Sequence, residues 1–78
     1  MADTDIPAPL LAAQRAFDGA TAALMAAPKD MPVEERRALR EAELAAMWHL
    51  REARAGTEWD TVSGQKQLRA AAQGDSEA

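Results

Sequence analysis

Few side chains in this sequence are of types that catalyse reactions, and their spacing does not favour catalysis. The chain has no Cys and one His, His49. Ser63 is followed by Gly64, but the residues around it lack the G-x-S-x-G turn that presents a nucleophilic serine. A triad of Ser63, His49 and an acid would also need a cleft and an oxyanion hole, for which so small a chain has little room. We therefore expect no enzyme activity, no small-molecule substrate and no cofactor.

The acids near His49 are too sparse to hold a metal. Glu43 and Glu52 lie on the same predicted helix as His49, but Ala46 occupies the position that an E-x-x-H motif would need. Zinc also lacks its usual thiolate ligands in a chain without Cys. We expect no metal site, and we interpret His49 as a surface or boundary residue.

Basic and amide side chains near the C-terminus are of types that contact nucleic acids. Gln65, Lys66 and Arg69 lie on the last predicted helix, and a short third helix is a feature of helix-turn-helix proteins. Two positive charges beside Glu58 and Asp60 attract phosphate weakly, and the net charge of the chain is −4. A helix-turn-helix-like DNA-binding regulator is therefore the alternative interpretation, and nucleic acid is not the expected partner.

The two tryptophans are the strongest functional signal in the sequence. The chain has three aromatic residues, and Leu, Ile, Val and Phe together number 11. Trp48 and Trp59 either complete an intramolecular core, with the last helix folded over Leu44 and Trp48, or anchor an interface, where Trp is a favoured residue type. Both arrangements can coexist in a dimer.

The element that positions Trp48 is a predicted helix at about 32–55. Ala, Glu, Lys, Leu and Arg make up 43 of the 78 residues, a composition typical of long helices. Helical spacing gives this segment one apolar stripe, formed by Leu39, Ala42, Ala46, Leu50 and Ala53. Leu44 and Trp48 point roughly the opposite way, with Met47 between the two faces. A hairpin needs only one apolar face, so the second face is available to pack against another helix or to bind a partner.

The sequence predicts an all-α fold built on an antiparallel helical hairpin. A first helix at about 9–27 has a seam spaced by threes and fours, formed by Leu10, Ala13, Phe17, Ala20, Leu24 and Ala27. The short loop after Pro28 favours antiparallel packing of the two helices. Gly56 is expected to end the second helix. A shorter, weaker helix at about 58–73, in one piece or broken near Gly64, completes a three-helix bundle or a dimeric helical assembly.

We predict a single helical domain at 9–73, preceded by a flexible acidic arm at 1–8 and followed by a disordered tail at 74–78. No apolar run approaches the ~20 residues that span a bilayer, and the N-terminus lacks the basic start and apolar stretch of a signal peptide. We expect a cytoplasmic protein with no membrane partner. Seven Arg against two Lys are typical of a high-GC genome, which points to an actinobacterium or one of its mobile genetic elements.

Together these patterns favour a small protein–protein interaction or regulatory module that acts through an apolar helix face. The expected binding residues are Leu44, Met47, Trp48, Arg51 and Trp59, and the expected partner is another protein or a second copy of the chain. Self-association is favoured because a core of this size rarely supplies more than ~3–5 kcal/mol.

The charges of the central helix are interpreted as a solvated face with pairs such as Arg37 and Glu41, or Arg40 and Glu43. The alternative is that Arg36, Arg37 and Arg40 form a patch that contacts an acidic partner.

Overall fold

The computed structural model describes residues 6–75, which form three α-helices. α1 spans Ala8–Met25, α2 spans Val33–Arg54 and α3 spans Val62–Asp75, and a short 3-10 helix at Glu58–Asp60 lies between α2 and α3. α1 and α2 pack against each other as a hairpin, and the structure has no strand within the described residues. The predicted all-α fold with a helical hairpin is confirmed.

The core lies at the end of the hairpin where the start of α1 meets the end of α2. The buried apolar residues come from all three helices and from the residue just before α1: Ile6, Leu10, Ala13, Leu50, Leu68 and Ala72. Leu68 is 0% exposed. α3 packs mainly against α1, so the seam predicted on α1 serves both other helices.

Polar bonds complete the hairpin farther from this core. Thr21 Oγ1 donates to Glu43 Oε2 at 2.9 Å across the α1–α2 contact. The Arg36 guanidinium donates to the carbonyl oxygen of Pro28, in the loop, at 2.6 Å. The stripe predicted on α2 is therefore altered at one position: Glu43 faces α1 because Thr21 gives its carboxylate a donor, and Ala42 is exposed.

At both ends, the described structure extends into segments that were predicted to be unfolded. Ile6 is 9% exposed and α1 begins at Ala8, so residues 6–8 belong to the folded domain. Ile6 and Leu11 flank the helix start at the positions of a hydrophobic staple, and both contact the core cluster. α3 reaches Asp75 within the predicted tail. Residues 1–5 and 76–78, which complete the predicted arm and tail, lie outside the described residues.

Gly56 and Thr57 end α2 and start the connection to α3. Gly56 has a φ of 77°, the left-handed conformation that glycine adopts readily after a helix, as predicted from its position. Thr57 Oγ1 donates to the carbonyl oxygen of Arg54 at 2.6 Å and accepts from the backbone N–H of Trp59 at 3.2 Å. One hydroxyl thus satisfies a carbonyl at the end of α2 and caps the 3-10 helix.

Thr61 separates the 3-10 helix from α3. Its hydroxyl accepts a hydrogen bond from the backbone N–H of Gly64 at 3.0 Å, which is the geometry of an N-cap, and donates to the carbonyl oxygen of Glu58 at 3.1 Å. The predicted helix at 58–73 is therefore divided, but at Thr61 rather than near Gly64, and Ser63 lies inside α3.

Replacing the capping hydroxyl is expected to weaken this junction. Thr61→Ala should lower the free energy of unfolding by about 1 kcal/mol, since loss of an N-cap side chain costs ~0.5–2 kcal/mol. Thr61→Ser keeps the hydroxyl and should stay close to the parent protein. Urea titrations of both variants measure the difference, and equal midpoints for Ala and Ser would show that the cap contributes nothing.

Candidate partner-binding site

One side of α2 is left uncovered by the rest of the described fold. We call it the open face, and it is formed by Val33, Arg37, Arg40, Leu44, Trp48 and Arg51. Steps of three and four residues place these positions on one face of the helix. Val33 is 72% exposed, and Leu44 and Trp48 are each 52% exposed. Met47 lies at the edge of the face and is half-buried.

One interpretation of the sequence placed the last helix over Leu44 and Trp48, but the structure does not have this arrangement. α3 packs mainly on α1, where Leu68 joins Leu10 in the core. Trp59 is half-buried and contacts this core. Of the predicted binding residues, the structure therefore groups Leu44, Met47, Trp48 and Arg51 on α2, whereas Trp59 is occupied in holding the 3-10 helix against the core.

Arg51 and Trp48 form a cation–π pair at one end of the open face. The guanidinium carbon of Arg51 lies 5.0 Å from the centre of the Trp48 ring. A pair of this kind is worth ~0.5–1 kcal/mol at an exposed site. The interaction restricts the rotamers of both side chains, so less conformational entropy is lost when a partner contacts them.

The two arginines at the middle of the open face have no partner in the part of the chain that the structure describes. Within residues 6–75, Arg37 and Arg40 make no ion pair and no side-chain hydrogen bond. The predicted pair of Arg37 with Glu41 does not form, and Glu43 bonds to α1 instead of to Arg40. Both residues are exposed, so their guanidinium groups can bind an external acceptor.

Arg36, the third member of the alternative basic patch, is used inside the fold. Its hydrogen bond to the Pro28 carbonyl oxygen ties the start of α2 to the loop. Val33 is a member of the open face that sequence reasoning missed. Val33 lies four residues before Arg37, and this helical spacing indicates that the two share a face. Its position at the start of the helix gave no other reason to select it as a binding residue.

Two open depressions flank Leu44. One, of about 510 Å³, is lined by Val33, Arg36, Arg37, Arg40, Glu41 and Leu44. The other, of about 370 Å³, is lined by Phe17, Arg40, Glu43, Leu44 and Met47. Because Arg40 and Leu44 line both, these side chains form a ridge between two hollows. Ridges and grooves of this kind are how one helix packs on another.

The residues of the DNA-binding alternative lie on α3. Gln65 Nε2 donates to the backbone carbonyl oxygen of Asp60 at 3.2 Å, so this amide is engaged within the fold. Lys66 and Arg69 are exposed, and so are the acidic residues of the preceding 3-10 helix, Glu58 and Asp60. No feature of this arrangement adds support for a DNA contact.

His49 and Ser63 are both exposed, and the described residues contain no group of three metal-ligating side chains. In the same part of the chain, no helix combines the length and the apolar character that crossing a membrane requires.

Comparison of the chain with protein-family models, curated proteins and solved structures finds no significant match, so the open face is interpreted from its own residues and geometry.

Proposed function

We propose that this protein is a non-enzymatic protein–protein interaction module that binds its partner through the open face of α2. The observation that carries the proposal is the exposure of Leu44 and Trp48, one turn apart on a helix whose other side is already packed. Large apolar residues are few in this chain. Leaving two of them outside the core costs stability that the domain does not have in excess, and a bound partner would recover it.

The mode of binding that fits this face is helix-on-helix docking. The six residues from Val33 to Arg51 cover roughly 27 Å, since an α-helix rises about 1.5 Å per residue. Leu44 and Trp48 would enter grooves between side chains of the partner, and the arginines around them would fix its orientation. Trp and Arg are the residue types that most often dominate binding energy at interfaces.

A photo-crosslinking residue placed at position 48 tests the proposal directly. In cells that produce the protein, we expect a covalent adduct with a second protein from position 48 and none from position 38. Ala38 is also exposed on α2 but is not part of the open face. Equal adducts from both positions, or adducts from neither, would contradict the proposal.

Trp48→Ala is expected to separate binding from folding. Because half of the side chain is already exposed, the free energy of unfolding should fall by less than about 1 kcal/mol. Affinity for a partner identified by crosslinking should fall about 30-fold or more, since a hot-spot tryptophan contributes at least ~2 kcal/mol. Calorimetric titration measures the affinity and urea titration the stability. A folded variant with unchanged affinity would exclude Trp48 as an anchor.

A further inference from the structure

We infer that the occupant of the open face is an acidic amphipathic helix of another protein rather than a second copy of this chain. The inference rests on the proposed function and adds the chemical class of the partner. It follows from three features: the charges within the face, the absence of internal partners for Arg37 and Arg40 within the described residues, and the contacts that self-association would create.

The open face is a basic and apolar strip on an acidic protein. Arg37, Arg40 and Arg51 alternate along it with Val33, Leu44 and Trp48, and none of the six residues is acidic. With these three arginines set aside, the remainder of the chain has 6 basic residues against 13 acidic ones. A partner attracted to this strip must therefore supply negative charge and apolar side chains on the same surface.

The free guanidinium groups make the requirement for carboxylates stronger. Within the described residues, Arg37 and Arg40 have no ion pair. A purely apolar partner that covered Leu44 would also strip water from them, and an unpaired buried charge is strongly destabilising. A carboxylate satisfies a guanidinium with two parallel hydrogen bonds. The partner that recovers this cost carries carboxylates opposite Arg37 and Arg40.

A second copy of the chain meets the face poorly. Antiparallel pairing of two open faces about Leu44 puts Arg40 opposite Trp48 of the other copy, which is favourable, but puts Arg37 opposite Arg51. Parallel pairing puts every arginine opposite itself. Like charges held close together across an interface repel each other strongly and so disfavour that partner. These like charges oppose the self-association that the small core favours.

Phosphate groups would also pair with arginines, but a nucleic acid fits the face less well. Glu34, Glu41 and Glu52 are exposed on α2, on the flank of the open face that 3.6-residue periodicity assigns to them. A phosphate backbone carries a charge on every nucleotide, so these carboxylates and the net charge of −4 oppose it more strongly than they oppose a helix whose few carboxylates lie opposite the arginines. Leu44 and Trp48 call for apolar side chains at helical spacing, which an acidic amphipathic helix carries and a duplex surface does not.

The spacing of the face describes the partner in more detail. Arg37 and Arg40 are three residues apart, so they match two carboxylates one helical turn apart. Leu44 and Trp48 follow over the next two turns and match apolar residues at a spacing of three or four. Arg51 then either pairs with a third carboxylate of the partner or stays on one face of the Trp48 ring, and the partner packs against the other face.

Selection from a displayed library of helical peptides tests the inference without assuming a partner sequence. The library has all exposed positions of one face randomised. It is panned against the full chain, and binders that also bind the Trp48→Ala variant are discarded. The selected peptides are then synthesised and titrated against the protein, its Arg37→Gln/Arg40→Gln variant, and a matched Lys66→Gln/Arg69→Gln variant that removes two exposed positive charges from α3.

We expect the selected peptides to carry net negative charge, with carboxylates spaced by three or four residues. Their affinity should fall about tenfold or more in Arg37→Gln/Arg40→Gln and stay within about twofold in Lys66→Gln/Arg69→Gln. Trp48-dependent peptides that are neutral or basic would overturn the inference and leave the proposed function standing. A library without any Trp48-dependent peptide would overturn both.

Two further measurements on the chain alone decide against the other occupants. Sedimentation at two concentrations should show a monomer. A dimer that depends on Trp48 would replace the inferred partner with a second copy of the chain. Larger oligomers, in which the open face of one copy binds a different surface of the next, would do the same. A salt-sensitive mobility shift of duplex DNA that is lost in Arg37→Gln/Arg40→Gln would replace it with nucleic acid.

Discussion

Leu68→Ala is expected to leave the protein largely unfolded at 25 °C. Leu68 is fully buried and belongs to the core shared by α1, α2 and α3. Truncation of a buried Leu to Ala costs about 2–5 kcal/mol, whereas a core of this size supplies about 3–5 kcal/mol in total. Helical circular dichroism followed in a urea titration measures the loss, and a native baseline in buffer alone is not expected for this variant.

Leu44→Ala removes the same atoms from the open face and is the matched control. Because 52% of Leu44 is exposed, the variant should lose less than about 1 kcal/mol and remain folded. Equal losses at Leu44 and Leu68 would mean that a helix covers Leu44 in solution. That result would restore the arrangement in which the last helix packs over Leu44 and Trp48.

Local signals in the sequence were sufficient for most of the helices. The predicted segments 9–27 and 32–55 match α1 and α2 to within two residues. The match is close because the prolines and Gly56 restrict the backbone at their own positions, where these helices begin or end. The choice of packing faces on the hairpin was also largely predictable. Leu10 and Leu50 lie on the two predicted stripes, and both are buried.

The position of α3 could not be predicted, because it depends on a choice between two apolar surfaces. The sequence offers Leu68 either to the seam of α1 or to Leu44 and Trp48, and helical spacing does not distinguish them. In the structure Ile6, from a segment read as a free arm, adds apolar surface beside Leu10. The contact of Leu68 with this surface is non-local and leaves no periodic signal in the sequence. The sequence left Trp59 open to either a core or an interface role for the same reason, and in the structure it packs against the core.

Gly64→Ala is the second substitution with a large expected effect, and its sign is opposite to that of an ordinary glycine replacement. The backbone of the 3-10 helix lies directly against Gly64. A Cβ added there would be 2.5 Å from the Trp59 Cα and even closer to the carbonyl oxygen of Glu58. Both obstacles are backbone atoms, so rotation of a side chain cannot relieve the contact. The 3-10 helix must move away from α3.

Moving that turn disrupts several interactions together. The hydrogen bond from Gly64 to the Thr61 hydroxyl would lengthen, and Trp59 would lose its packing against the core. Overpacking of a close contact typically costs about 1–3 kcal/mol, and here it outweighs the ~0.5–1 kcal/mol that Ala gains over Gly in a helix. We expect Gly64→Ala to lower the urea midpoint and to shift the emission of Trp59, measured with Trp48 replaced by Phe, towards that of an exposed indole.

Gly19→Ala is the control that makes this result interpretable. A Cβ at Gly19 meets nothing within 4 Å, and the residue is exposed in the middle of α1, so this variant should be about 0.5–1 kcal/mol more stable than the parent. Stabilisation by both substitutions would mean that the 3-10 helix does not lie against α3. Opposite signs would establish that contact. Because neither Gly64 nor the 3-10 helix contributes a residue to the open face, Gly64→Ala should still bind an acidic peptide under conditions where it remains folded.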